Sequence, residues 1–142
     1  MATFRRFEDI TAWQKARTLV KDVYQVSGKG DFRKDFGLKD QIRRASVSIM
    51  ANIAEGFERD SHGERIRFLM IAKGSVGEVR SHLYVAFDLG YISQTDFTKM
   101  KSEAETISKM IGGLAAYLRK DKISNAKEPS VEYNAGSYTT VN

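Results

Sequence analysis

This sequence predicts an all-α chain folded as an up-down-up-down antiparallel four-helix bundle, and three observations carry that prediction. A single proline, Pro129, leaves the residues before it free of the strongest helix breaker. Four stretches repeat apolar residues at spacings of three and four, the period of one helix face. The links between them are short and rich in Gly, Ser and Asp, which favours antiparallel neighbours.

The first helix is predicted from about Ile10 to Ser27. Ala12, Trp13, Ala16, Leu19, Val20, Val23 and Val26 form its inward stripe, Asp9 its N-cap, and Gly28-Lys29-Gly30 its stop. A charged connector follows, with Phe32 and Phe36 as apolar anchors.

The second helix, Leu38 to Arg59, is apolar on two faces. Leu38, Ile42, Ala45, Ile49 and Ile53 make one stripe; Val47, Met50, Ala51, Ala54 and Phe57 make another. One face is expected to pack inside the bundle and the other against a second copy of the chain.

Ser61 and Glu64 form a capping box that opens the third helix, which runs to about Leu89 with Gly90 at its end. Leu69, Ala72, Val76, Val79 and Leu83 supply its core, and Gly74 and Gly77 are expected to let a neighbouring helix approach closely. Ser93 and Asp96 mark the next start. Phe97, Met100, Ala104, Ile107, Ile111, Leu114 and Leu118 then give the cleanest seam in the chain. The bundle is thus assigned to residues 1–120. Residues 121–142 are expected to form a polar, mobile C-terminal tail, with a short strand or hairpin as the alternative because Val131 to Tyr133 and Ser137 to Thr139 alternate weakly.

With no cysteine, disulfides, thiolate nucleophiles and Cys-based zinc sites are excluded. No apolar run reaches membrane-span length, and Phe4 to Ile10 is too polar for a signal-peptide core, so the expected location is cytoplasmic. The net charge of +5 is compatible with an acidic partner or nucleic acid without requiring either.

Arg33, Lys34, Lys39, Arg43 and Arg44 gather at the start of the second helix, where the positive helix end disfavours cations. That placement makes them the candidate phosphate contacts. The plainer reading is neutralisation by Asp31, Asp35 and Asp40, with Asp40 and Arg44 one turn apart.

Polar residues on facing helices, namely Arg43, Asn52, Glu55, Ser75 and Glu78, are expected to form a structural network. Reflection about the turn at Asp60 and Ser61 places Glu78 opposite Arg43, as a salt bridge from Arg43 or Arg44, and Ser75 opposite Ser46. Glu55, Glu78 and His82 invite comparison with a di-metal centre. Glu78 and His82 have the wrong spacing, however, and no second motif exists, so neither metal, cofactor nor catalytic residue is expected.

Four ordered segments complete the reading: Trp13-Gln14-Lys15-Ala16, Asn52-Ile53-Ala54-Glu55-Gly56, Ala72-Lys73-Gly74-Ser75 and Gly90-Tyr91-Ile92. Together, over about Phe4 to Lys120, they resemble the small bacterial four-helix-bundle family whose founding members are encoded in intervening sequences of 23S rRNA genes. The resemblance implies a ring-like homopentamer without catalytic residues. A related branch, the accessory proteins of diversity-generating retroelements, implies nucleic acid, RNA or DNA, and a reverse transcriptase as partners. The expected function is non-enzymatic association with RNA through the basic residues. A protein-interaction scaffold that binds no nucleic acid is the alternative.

Overall fold

The computed structural model describes residues 4–124, with side chains as far as 121. Four helices run α1 (Thr11–Ser27), α2 (Phe36–Phe57), α3 (His62–Asp88) and α4 (Gln94–Ser124), and no strand occurs among the described residues. Short 3-10 turns at Phe7–Asp9 and Phe32–Lys34 precede α1 and α2. Each helix packs on the next, and α1 returns to α4 to close the bundle.

The seams read from spacing are the ones buried. Leu19, Ile42, Ile49, Ile53, Leu69, Leu83, Ile107 and Ile111 are each excluded from solvent. Each contributes about 1.5–3 kcal/mol of burial energy before entropy is charged against it. No helix among the described residues is long and apolar enough to cross a membrane.

The helix ends follow local chemistry with one exception. Asp35 caps α2 by accepting the Leu38 N–H at 3.1 Å, and Ser61 caps α3 through the Glu64 N–H at 3.2 Å. The end of α3 is a Schellman turn: Gly90 takes φ +75, its N–H reaches the Phe87 carbonyl, and that of Tyr91 reaches Ala86. Asp9, however, does not cap α1. It lies in the preceding turn, where Arg6 Nε donates to its carboxylate at 3.4 Å, and Ile10 takes the cap position. Ile10 is 1% exposed, and burying it outweighs a cap worth about 1 kcal/mol.

Close helix approach also falls elsewhere than expected. A Cβ on Gly74 or Gly77 would meet nothing within 4 Å, whereas one on Gly56 would lie 3.2 Å from Phe68 Cβ and 3.3 Å from the Arg65 carbonyl. Gly56 is where α2 and α3 come together.

At the same end of the bundle, His62 Nε2 donates to Asp121 Oδ2 at 2.6 Å, fastening the last turns of α4 to the start of α3. The helix continues to Ser124, beyond the Lys120 boundary expected from the sequence. The expected strand or tail around Val131 to Thr139 lies outside the described residues.

Candidate nucleic-acid interface

Where α1 ends and α2 begins, Phe32 is fully buried and stacks on Tyr91 at 5.3 Å. This anchor pins the Phe32–Lys34 turn to the bundle, and the hydrogen bond from Arg33 N to Lys29 O at 3.2 Å tightens it. With Phe32 inward, Arg33 and Lys34 are left exposed, as is Lys29.

Of the three nearby carboxylates, Asp31 is exposed and makes no ion pair among the described residues, and the other two have other duties. Besides capping α2, Asp35 accepts a hydrogen bond from the Tyr91 hydroxyl at 2.9 Å, and that bond is the main cause of a Tyr91 pKa raised above its ordinary value. Asp40 pairs with Arg44 at 2.9 Å.

The five cations grouped by the sequence therefore separate. Arg33 and Lys34 have no carboxylate partner among the described residues. Lys39 extends over the ring of Phe36, 5.1 Å from its centroid, and is also without an ion pair there. Arg44 is exposed but neutralised. Arg43 turns away altogether: its Nε donates to Ser27 Oγ at 2.8 Å, its Nη2 to the Tyr24 carbonyl at 3.2 Å, and its guanidinium lies 4.3 Å from the Tyr24 ring. It closes the carbonyl end of α1, where a cation is favoured. Lys29, which the sequence reading left outside the basic group, is exposed directly before this turn.

The expected polar network forms in part. Ser48 and Ser75 share a hydrogen bond at 2.9 Å, and Asn52 Nδ2 donates to the Ser48 carbonyl at 2.9 Å and its hydroxyl at 3.0 Å. Arg43, Glu55 and Glu78 are outside it. Glu55 pairs with Arg59 at 2.8 Å, and Glu78 is exposed without an ion pair to Arg43 or Arg44. The salt bridge to Glu78 is thus replaced by Arg43 to α1 and Arg44 to Asp40. Ser46 bonds the carbonyl of Arg43 rather than Ser75. Among the described residues no group of three or more His, Asp or Glu could hold a metal ion.

The second apolar face of α2 also divides. Met50 and Phe57 are half-buried against their own core, Ala54 is half-buried, and Val47 and Ala51 are exposed. On α3, Ile71, Val85 and Leu89 stand exposed.

Between α1 and α4 lies a cleft of about 180 Å³ lined by Lys15, Thr18, Ser102, Glu103 and Thr106. Burial first, and then the charge of Asp22 beside it, pushes the Glu103 carboxyl above the usual carboxylate range; Lys99 and Lys15 pull the other way.

Against known proteins, the family model described as 23S rRNA-intervening sequence protein matches residues 8–113. The chain belongs to that family. A crystal structure of a protein of unknown function from the S23 ribosomal protein family of Bacteroides thetaiotaomicron superposes with a TM-score of 0.68 at 22% identity. That likeness covers 74% of this chain and 98% of the other. At that identity it concerns the fold alone. No curated protein matches the sequence.

Proposed function

We propose that this protein is a non-enzymatic, oligomeric RNA-associated protein of the cytoplasm that meets phosphate through its basic turn. The observation that carries the reading is the turn pinned by buried Phe32, which holds Arg33 and Lys34 outward without a carboxylate partner among the described residues. Lys29 and Lys39 flank them. The name of the family, 23S rRNA-intervening sequence protein, supports a link to RNA. Val47 and Ala51 on α2, with Ile71, Val85 and Leu89 on α3, leave apolar surface for contact between copies in a ring, the pentamer implied by the resemblance. Assembly would multiply the net charge of +5 per chain.

The test is fluorescence anisotropy with a structured RNA at low and near-physiological salt. Affinity should fall steeply with salt, with a logarithmic slope of about 0.7–0.9 per phosphate contacted. The double variant Arg33→Glu, Lys34→Glu should lose most of the binding; unchanged affinity removes the turn from the account.

A second reading, a scaffold for a protein partner such as a reverse transcriptase, draws support from Arg43 and Arg44, which are both occupied within the chain. It predicts no RNA binding at any salt.

A further inference from the structure

The surface between α3 and α4 combines four features along one line. Its floor is open: a Cβ on Gly77 would meet nothing within 4 Å, and one on Gly112 would find only Lys73 Cε, at 3.7 Å. A chain's backbone can approach there without obstruction.

Its walls are cationic. Lys73 and Arg80 stand on α3 and Lys101 and Lys109 on α4, with Glu105 the carboxylate that Arg80 and Lys101 both contact. Glu105 is shared, taking Arg80 Nη2 and Lys101 Nζ each at 3.3 Å. Both contacts are longer than the roughly 2.7–2.9 Å of a firm charge-assisted bond. One carboxylate between two cations leaves positive charge at that level, and Lys73 and Lys109 have no ion pair among the described residues.

The valley also holds an unspent donor. Arg80 Nε makes no hydrogen bond among the described residues, so its contact with Glu105 runs through Nη2 alone.

Lastly, it ends in an aromatic platform. Tyr84 is 46% exposed and braced edge-on by Phe97 at 5.0 Å, which in turn stacks on Phe87 at 4.7 Å. At 1.5 Å per residue, Lys73 to Tyr84 spans about 16 Å, enough for a few nucleotides.

We infer that the α3–α4 valley seats a short single-stranded nucleic acid, its phosphates along Lys73, Arg80, Lys101 and Lys109 and one base stacked on Tyr84. Positive groove plus stacking face is how sequence-tolerant single-strand binders work. A duplex keeps its bases stacked on each other and cannot use the platform. The inference rests on the nucleic-acid reading above but uses a different surface from the basic turn.

The experiment compares a fluorescein-labelled oligouridylate with a labelled RNA hairpin, using the full chain and three sets of variants checked for folding by circular dichroism. Tyr84→Ala should weaken oligouridylate binding about tenfold with the salt slope unchanged, and leave the hairpin unaffected. Tyr84→Leu, which keeps an apolar contact with Phe97, should show the same loss. Lys73→Glu with Lys109→Glu should lower both affinity and salt slope. Wild-type affinity in these variants, with binding lost only in Arg33→Glu, Lys34→Glu, overturns the valley and leaves the basic turn standing. Absence of binding in the wild-type protein at low salt overturns both.

Discussion

The α2–α3 seam and the α1–α4 seam are built on opposite principles. Along α2–α3, Gly56 lets the backbone of Arg65 come within van der Waals reach, and a small polar knot of Ser48, Asn52 and Ser75 is satisfied side chain to side chain. Along α1–α4, longer polar residues leave a cleft, with Lys99 only 3.7 Å from Asp22 and Glu103 pressed beside that same aspartate. The first seam has no room for an added side chain at Gly56. The second is held partly by electrostatics and so answers to pH. Stability should therefore be sensitive to volume at α2–α3 and to protonation at α1–α4.

The largest expected effect is at Gly56. Gly56→Val forces branched methyls against the Arg65 carbonyl and Phe68, and should destabilise by about 2–3 kcal/mol in urea unfolding. A loss below the helix-propensity scale would mean that α2 and α3 separate easily. Next is Ser75→Ala, which leaves Ser48 with Asn52 alone and should cost about 1 kcal/mol. Gly74→Ala works in the opposite direction: its Cβ enters open space, so the helix should gain up to about 1 kcal/mol. If Gly74→Ala instead destabilises and lowers the assembled mass in light scattering, another copy packs against that face.

The smallest effect is also the one specific to α1–α4. The folded pKa of Glu103 is raised, so its contribution is present below the ordinary glutamate value of 4.5 and is lost as pH rises through the raised value. Glu103→Gln should remove that decline and flatten the melting temperature across the mildly acidic range. An unchanged pH profile would mean that Asp22 and Glu103 do not oppose each other. Tyr91→Phe supplies a control at the other end, since the raised phenol loses its bond to Asp35 only above about pH 10.

How far the sequence could be read depended on the range of the interaction. The Ser61 cap and the Gly90 turn are local, with donors and acceptors within a few residues of each other, so composition was enough. Core seams such as Ile107, Ile111 and Leu114 were legible because helical period alone assigns their face.

Pairing across helices was not legible at the same level. Ser75 was placed opposite Ser46 and meets Ser48 instead. Two residues are more than half a helical turn, so a small error in level moves a side chain to another face. Arg43 turns to α1, which reflection about the α2–α3 turn could not reveal. The candidate site suffered in the same way: Lys39, Arg43 and Arg44, close in sequence, point in different directions once wound on α2, while Arg33 and Lys34 stay together in the turn before it. The Asp9 cap failed for another reason, since a buried isoleucine claimed the position first.

The bond between His62 and Asp121 has a practical corollary for anyone attaching a reporter to this protein. It clamps the last turns of α4 beside the start of α3, at the end of the bundle away from Arg33 and Lys34. With 31 residues in α4, a fluorophore or affinity handle attached near the end of that helix would sit about 40 Å from the basic turn. Immobilising the molecule there would present its cationic end to solution.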